Sequence, residues 1–434
     1  MLTAMRTIAI EGEHMTTTAP SPASESVFDN KNAQAAGRSA PGVFRSATFD
    51  FQLMRWLSQA PYSGSEIGEC YATARLIEDG DNESWLTEWQ KTARRVESAA
   101  RECLAGGHRV SAREAFLRAT TYYEAAFFYT ADSDPRKREL YDRHRDCFRS
   151  AGALFDPPFE TVRIPYEGRT LPGYFLRPDD SGTRRPTVLV MTGGDGTAER
   201  LYFNGGGAAG LRRGCNVLCF EGPGQSGAYM ADDSLVFRYD YEVPIGAVID
   251  YAVSRPDVDP GRIAAIGYSM GGYFVPRAAA FDKRIAACVA DCLLPDAYTP
   301  MVATMEMDEL IDAGTPVRAD QLTQKQRYSV EEGMPRFGFT GGVQDIPAWG
   351  DMLKKMNLSG LEDKITCPLL NLSSTGEGKT MYDNARAFFD ALPNPRNRFV
   401  LTTEDQGAEM HCQRGNSSLL HQIIFDWLDD ILAS

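Results

Sequence analysis

The chain is poor in several features that point to particular classes of protein. It has only five histidines in 434 residues, and its nine cysteines include no pair at C-x-x-C spacing. The sequence therefore predicts no metal site, no redox motif and no cofactor. No apolar run approaches the roughly 20 residues that a membrane-spanning helix requires. The net charge of −14 argues against a nucleic-acid partner, because phosphate binding requires a basic face.

What remains is the composition of an ordinary globular protein with a large core. Hydrophobic residues make up 43% of the chain and charged residues 24%. Most cysteines lie in or beside apolar runs, which is typical of buried thiols in a reducing compartment, so we expect a cytoplasmic protein. Residues 1–40 are rich in Ser, Thr, Ala and Pro and lack the apolar region of a signal peptide, which predicts a disordered leader.

Residues 41–155 have a helical period and are predicted to form an all-helical cap domain. One apolar stripe recurs at three- and four-residue steps from Trp85 to Cys103. The Gly106-Gly107 pair is expected to end that helix. Ser111 and Glu114 have the spacing of a capping box, which predicts where the next helix begins.

Residues 156–434 have the pattern of an α/β domain. Short apolar runs alternate with segments long enough for a helix, which predicts a mostly parallel, doubly wound sheet covered on both faces. Pro165 would confine its strand to an edge of the sheet. One connection is too long for a single crossover and has helical periods, so we expect a helical lid insertion at about 295–360. The predicted strands are 161–166, 172–176, 187–191, 216–220, 263–266, 286–290, 369–372 and 398–401.

The most informative motif is Gly267-Tyr268-Ser269-Met270-Gly271, which follows an apolar strand and precedes a helix-compatible segment. A serine in the tight strand-to-helix turn called a nucleophile elbow needs small residues two positions before and after it, because a larger side chain there meets neighbouring backbone. The turn exposes the hydroxyl and directs the first amides of the helix at the atom under attack. The motif predicts an α/β-hydrolase fold with Ser269 as its nucleophile.

The serine needs a histidine base, and in this fold the chain order is serine, acid, histidine. Only two of the five histidines follow Ser269. His421 lies inside a terminal amphipathic helix, where a packed or surface role is expected. His411 follows the last predicted strand through a loop, so it is the predicted base.

The acid is expected in the loop after the penultimate strand. Glu377 is the first carboxylate past that strand, and flanking glycines would let it turn towards the histidine. Asp383 is expected on the next helix as a surface or capping carboxylate. Asp405 is the rival, but it follows the last strand and is close in the chain to His411, which is not the usual arrangement.

The oxyanion hole needs two amides. One is predicted to be that of Met270, directly after the nucleophile. The other is expected in the loop after strand 187–191, which reads Thr-Gly-Gly-Asp-Gly, because glycines let the backbone approach a substrate closely. We choose Gly194, with Asp195 adjacent to it.

Six segments resemble the α/β-hydrolases related to 2,6-dihydroxypseudooxynicotine hydrolase, to fungal enzymes that shorten naphthopyrone polyketides, and to fermentation-respiration-switch esterases. The resemblance covers most of the chain beyond the leader. It departs from the family where Glu221 and Glu377 replace the usual aspartates. The segments are Phe220–Gln225, Arg262–Ala264, Gly267–Tyr273, Gly407–Gln413, and, in the helical part, Ser84–Trp89 and Arg109–Ala115.

The resemblance implies a Ser-acid-His hydrolase whose site is roofed by the helical cap, and a homodimer. Its characterised members cleave carbon–carbon bonds next to ketones, or esters, in bulky small molecules. Two other functions are compatible with the same residues. One is acyl transfer or cyclisation in natural-product biosynthesis, which shares the acyl-enzyme and differs in whether water reaches it. The other is a catalytically inactive binding protein of the same fold.

Overall fold

All the predicted strands form and join one sheet in the computed structural model of the protein, which describes residues 42–312 and 318–433. The predicted leader, residues 1–40, lies outside the described residues. The strands are β1 Glu160–Tyr166, β2 Arg169–Leu176, β3 Arg185–Met191, β4 Asn216–Phe220, β5 Val258–Tyr268, β6 Ile285–Asp291, β7 Leu369–Ser374 and β8 Arg398–Thr402.

The sheet is mostly parallel, as predicted. The strand order is β1-β2-β4-β3-β5-β6-β7-β8. Strand β2 pairs antiparallel with both β1 and β4, and every later pair is parallel. The strand that contains Pro165 is at the edge, where the missing N–H removes no central ladder bond.

The central strands are apolar on both faces because each face is covered by helices. In β3, Val188 and Val190 belong to the core on one side of the sheet, whereas Leu189 and Met191 belong to the core on the other. Successive side chains of a strand point to opposite faces, so a continuous apolar run fills both cores.

Helices cover the two faces of the sheet and also form the segment that precedes it. No helix in the described ranges is both long and apolar enough to cross a membrane. The α-helices of these ranges are α1 Ala47–Leu57, α2 Ile67–Ala74, α3 Asn82–Ala105, α4 Arg109–Phe127, α5 Pro135–Gly152, α6 Gly207–Arg212, α7 Ser226–Ala231, α8 Glu242–Val253, α9 Gly271–Phe281, α10 Tyr298–Met305, α11 Asp308–Asp312, α12 Gln324–Tyr328, α13 Ile346–Lys354, α14 Lys379–Asp390 and α15 Ser417–Leu432.

Helices α1 to α5, here called the helical segment, pack on the same side of the sheet as α15. Helix α3 buries the predicted stripe and ends at the glycine pair, where Gly107 has φ of +79°. The predicted capping box is wrong. Helix α4 begins at Arg109, because the glycine turn reverses the chain at once, and Ser111 and Glu114 therefore lie inside the helix.

A buried polar junction joins the helical segment to the sheet. His144 of α5 donates from Nδ1 to the Thr120 carbonyl (2.8 Å). Its Nε2 lies 3.1 Å from the Thr197 hydroxyl and 3.3 Å from the Glu199 carboxylate, which also accepts a 2.6 Å bond from Tyr174. These groups satisfy one another in a site closed to solvent, which orients the segment on the sheet.

The connection between β6 and β7, here called the insertion, contains α10 to α13. Its apolar residues, including Val302 and Trp349, join the core on the face opposite the helical segment. The helical segment and the insertion approach each other near the carboxyl ends of the parallel strands, where Asp132 contacts Arg336. In open parallel sheets, sites form at that end of the strands.

Candidate active site

Ser269 occupies a strained turn between β5 and α9. Its φ is +57°, a left-handed conformation that non-glycine residues rarely adopt. A Cβ placed on Gly267 would lie 2.0 Å from the carbonyl oxygen of Gly271, so only glycine fits there. This is the geometry expected of an elbow that presents a serine hydroxyl.

The turn is also held against the end of β6. The Ser269 amide donates to the Asp291 carbonyl at 2.5 Å, and the Leu294 amide donates to the Gly272 carbonyl at 3.1 Å. A Cβ on Gly272 would lie 1.5 Å from the Cys292 carbonyl oxygen. Among the residues after the serine, Gly272 therefore has the least room for a side chain, although it lies one residue beyond the motif. The consecutive glycines Gly271 and Gly272 are the sequence feature that indicates this position.

Replacing Gly272 with alanine is expected to lower the free energy of unfolding by at least about 3 kcal/mol, because backbone atoms must move to admit the methyl group. Urea denaturation measures this change. The control is Gly246→Ala in α8, where a Cβ meets nothing within 4 Å. That substitution is expected to stabilise by up to about 1 kcal/mol. Equal stability of the two variants would contradict the packing described for the turn.

The structure brings Ser269, His411 and Glu377 together in one hydrogen-bonded chain. His411 Nε2 lies 3.0 Å from Ser269 Oγ, and His411 Nδ1 lies 2.6 Å from Glu377 Oε1. The His411 side chain is 24% exposed and that of Glu377 only 4%. One ring nitrogen thus faces the serine while the other is occupied by a buried carboxylate.

Glu377 is aimed at the histidine by a single turn of 3₁₀ helix that follows β7. The Ser374 amide donates to Glu377 Oε2 at 3.1 Å, which leaves Oε1 for His411. The two other candidate carboxylates bond to groups other than His411. Asp383 lies on α14 and pairs with Lys379 at 2.5 Å, and Asp405 accepts from the Thr403 hydroxyl.

For both Glu377 and His411, burial shifts the pKa in one direction and the contacts with neighbouring groups shift it in the other. Burial alone would raise the pKa of Glu377, but its hydrogen bond to His411 lowers the pKa below the ordinary range. Burial alone would lower the pKa of His411, whereas Cys412, Cys292 and Glu377 together raise it well above its ordinary value. The pair is therefore arranged to stabilise a positive charge on the imidazole.

Two buried thiols flank the histidine. Cys412 Sγ lies 3.5 Å from His411 Nε2. Cys292, Glu377 and His411 have ligand atoms within 4.8 Å of one another, and they are the only such group among the described residues. All nine cysteines lie within the described ranges and are unpaired. Any metal bound here would compete with the histidine–carboxylate bond.

A second buried carboxyl group, which the sequence did not indicate, lies beside this chain. Asp291 ends β6 and is fully buried. Burial, and then the charge of Glu377, raise its pKa to about 7. The Gln413 amide is 3.0 and 3.1 Å from its two oxygens and can donate to them. A carboxyl at this pKa is partly neutral near pH 7, which limits repulsion from Glu377.

The glycine loop after β3 passes directly over the serine. A Cβ on Gly193 would lie 2.7 Å from Ser269 Cβ and 3.0 Å from the Met270 amide nitrogen. A Cβ on Gly194 would lie 3.3 Å from Met270 Sδ. Of these two glycines, Gly193 is therefore the one that lies against the nucleophile, whereas Gly194, the residue predicted from the sequence, lies beside Met270.

Gln225, at the end of the Phe220–Gln225 segment, holds this loop through two hydrogen bonds. Its side chain is fully buried, and Nε2 donates to the carbonyls of Thr192 (2.5 Å) and Gly193 (2.9 Å). The N–H and C=O of a trans peptide point in opposite directions. The bond to the Gly193 carbonyl therefore turns the amide of Gly194 away from Gln225.

The Asp195 side chain, which is 50% exposed, forms ion pairs with Arg55 of α1 (2.8 Å) and with Arg200 (3.2 Å). Partial burial would raise the pKa of this half-exposed carboxyl, but the charges of the two guanidinium groups outweigh it and hold the pKa well below its usual range. Asp195 thus carries a fixed negative charge. The contact with Arg55 connects the helical segment to the glycine loop.

The sheet order, the strained serine after β5, the carboxylate after β7 and the histidine after β8 define an α/β-hydrolase. The chain belongs to the α/β-hydrolase family, whose model matches residues 189–430. This confirms the family, the fold class and the enzyme class inferred from the sequence.

Two relatives are similar over nearly their whole length. Alpha/beta hydrolase gkaG of Penicillium citrinum is 33% identical over 418 residues, which cover 88% of this chain and 96% of the relative. The 20-hydroxy-prefusarin hydrolase FUS2 of Gibberella moniliformis is 30% identical over 428 residues, which cover 90% and 98%.

Solved structures share the fold at low sequence identity. The crystal structure of 2,6-dihydroxy-pseudo-oxynicotine hydrolase has a TM-score of 0.67 and 18% identity, and the match covers 87% of this chain and 96% of that one. The structure of wild-type AbyA5 has a TM-score of 0.56 and 17% identity, covering 87% and 98%. Both alignments extend well beyond the α/β core, which is consistent with the helical segment being part of the shared architecture.

Proposed function

We propose that the protein is a serine hydrolase that needs no cofactor and cleaves an ester or a carbon–carbon bond next to a carbonyl. Ser269 attacks the carbonyl carbon while His411 takes the hydroxyl proton and then gives it to the leaving group. Glu377 orients His411 and stabilises its positive charge. The observation that carries the proposal is the continuous chain of 3.0 and 2.6 Å contacts through the imidazole.

The oxyanion of the tetrahedral intermediate is proposed to bind the amides of Met270 and Gly194. Met270 follows the nucleophile at the amino end of α9, where free amides and the helix dipole favour negative charge. The orientation of the Gly194 amide is supported by the bond from Gln225 to the preceding carbonyl. Asp195 is proposed to border the hole through its backbone, since its carboxylate would repel an oxyanion.

The helical segment is proposed to be a cap and the insertion a lid over the site. Arg55 of the helical segment reaches the glycine loop. The first residues of the insertion contact the Ser269 turn, because the Leu294 amide donates to the Gly272 carbonyl. The substrate class is proposed from the relatives: a bulky, partly aromatic or polyketide-like small molecule, as the name of the prefusarin hydrolase indicates for that protein.

The pH dependence follows from the raised pKa of His411. Only the neutral imidazole accepts the serine proton, so kcat/KM is expected to rise with pH through that pKa, with its acid limb above the ordinary value of about 6.5. In Glu377→Gln the limb is expected to move to lower pH, because the carboxylate no longer favours the imidazolium. The measurement is kcat/KM between pH 5 and pH 9, using the residual activity of the variant. A limb that moves upward would contradict the arrangement.

The direct test combines labelling with product analysis. A fluorophosphonate probe is expected to modify Ser269, as located by peptide mapping. A panel of aryl esters and β-diketones is incubated with the protein in ¹⁸O-labelled water. Hydrolysis is expected to yield a carboxylic acid that contains one oxygen from the solvent. A product without solvent oxygen would instead indicate acyl transfer or cyclisation. Absence of both labelling and turnover would favour the inactive binding protein.

The protein is further proposed to be a cytoplasmic homodimer. The unpaired state of all nine cysteines supports a reducing compartment. The dimer rests on the family resemblance. Light scattering coupled to size-exclusion chromatography measures the mass of the assembly, and a monomer at micromolar concentration would overturn this part of the proposal.

A further inference from the structure

One arginine of the insertion lies between three parts of the molecule. Arg336 is in a short 3₁₀ turn, Met334–Phe337, and its side chain is only 15% exposed. Nε and Nη2 each lie 3.1 Å from a carboxylate oxygen of Asp132, which lies between α4 and α5. This bidentate ion pair fixes the plane of the guanidinium group.

The remaining nitrogen of the same group reaches the glycine loop. Arg336 Nη1 donates to the Gly194 carbonyl at 3.2 Å and to the Ser226 hydroxyl at 3.3 Å. Arg336 therefore holds the peptide plane that follows Gly194, whereas Gln225 holds the plane that precedes it. Between them, the two side chains fix both peptide groups of the residue proposed to bind the oxyanion.

Asp132, the partner of Arg336 in the helical segment, is itself held by two further contacts. Lys137 pairs with Asp132 at 2.5 Å, and the Asp132 amide donates to Glu332 of the insertion at 2.6 Å. The Arg336 carbonyl accepts from the Phe237 amide at 2.7 Å. The turn is thus held by its backbone as well, so a change of the Arg336 side chain leaves this support in place.

We propose that Arg336 is a positioning residue through which the insertion and the helical segment set the oxyanion-binding loop. The inference rests on the proposed function, because it assigns Gly194 an amide that binds the oxyanion. Arg336 touches neither the nucleophile nor the base, and its effect passes through the Gly194 carbonyl. Its loss should weaken binding of the transition state more than binding of the substrate.

The test is Arg336→Gln, measured with an aryl ester that the wild-type protein turns over. We expect kcat to fall roughly 10- to 100-fold with KM changed less than about threefold. The inhibition constant of butylboronic acid, which forms a tetrahedral adduct with a serine, should rise by a similar factor. The acid limb of the pH profile should stay in place, since His411 is untouched. Unchanged kcat, or an effect on KM alone, would overturn the proposal.

Controls separate this role from general stability. Arg284 also forms a bidentate ion pair with an aspartate, Asp282, but lies far from the glycine loop. Arg284→Gln should therefore leave kcat unchanged. Asp132→Asn keeps Arg336 but weakens its anchor, so a smaller loss of kcat is expected. If Arg336→Gln does not fold, Arg336→Lys provides the test. Lysine keeps the charge but lacks the fork that spans Asp132 and Gly194, so kcat should still fall, and a wild-type kcat would overturn the proposal.

Two variants separate a failure of the proposed function from a failure of the role proposed for Arg336. If Ser269→Ala keeps its turnover, the proposed function is wrong. If Ser269→Ala is inactive but Arg336→Gln matches the wild-type protein in kcat and in boronate binding, only the role of Arg336 is wrong.

Discussion

Ser269→Ala is expected to lose about a million-fold in kcat, because the alanine cannot form the acyl-enzyme and the remaining groups act only by binding and electrostatics. Labelling by a fluorophosphonate should disappear with it. The hydroxyl makes one side-chain contact, the 3.0 Å contact with His411. The free energy of unfolding should therefore change by less than about 1 kcal/mol.

The control for Ser269→Ala is Ser254→Ala, which removes an exposed hydroxyl at the end of α8. That variant should retain full activity and labelling. If Ser269→Ala still reacts with the probe at the wild-type rate, the nucleophile lies elsewhere, and the contact between His411 and Ser269 has only a structural role.

Glu377→Gln is expected to lower kcat by about 10⁴-fold, the cost of replacing the carboxylate that faces a catalytic histidine. The amide can occupy the same space, but it provides no negative charge for the imidazolium and also offers a hydrogen-bond donor to Nδ1. The 2.6 Å bond and the burial of the carboxylate make this contact strong in the native protein.

Two carboxylates serve as controls for Glu377. Asp383→Asn and Asp405→Asn should each remain within about twofold of the wild-type kcat, since both side chains are bound to groups other than His411. A large loss in Asp405→Asn together with an active Glu377→Gln would assign the acid role to the last loop instead.

The strands and the hydrogen-bonded chain could be predicted because local signals mark them. Short apolar runs that alternate with segments long enough for a helix marked the strands. The chain order of serine, acid and histidine left only His411 and His421 as candidates for the base. The start of α4 was predicted wrongly, because the capping-box spacing carries no information about the tight turn before it.

The contacts around the glycine loop could not be predicted. Gly193 and Gly194 are adjacent and give the same sequence signal, and only the fold shows which of them lies against the serine. Arg55 and Arg336 reach this loop from 140 and 142 positions away in the chain. Contacts at such separation leave no periodicity or spacing to detect.

The bonds between the Ser269 turn and the start of the insertion define where the protein can be re-engineered. Gly272 lies on the Cys292 carbonyl and pairs with the Leu294 amide. Residues 292–294 therefore belong structurally to the nucleophile turn, although in the chain they open the insertion. A chimaera that imports another enzyme's specificity should join the foreign segment after Leu294, so that the graft replaces the proposed lid without breaking the contacts that hold the Ser269 turn.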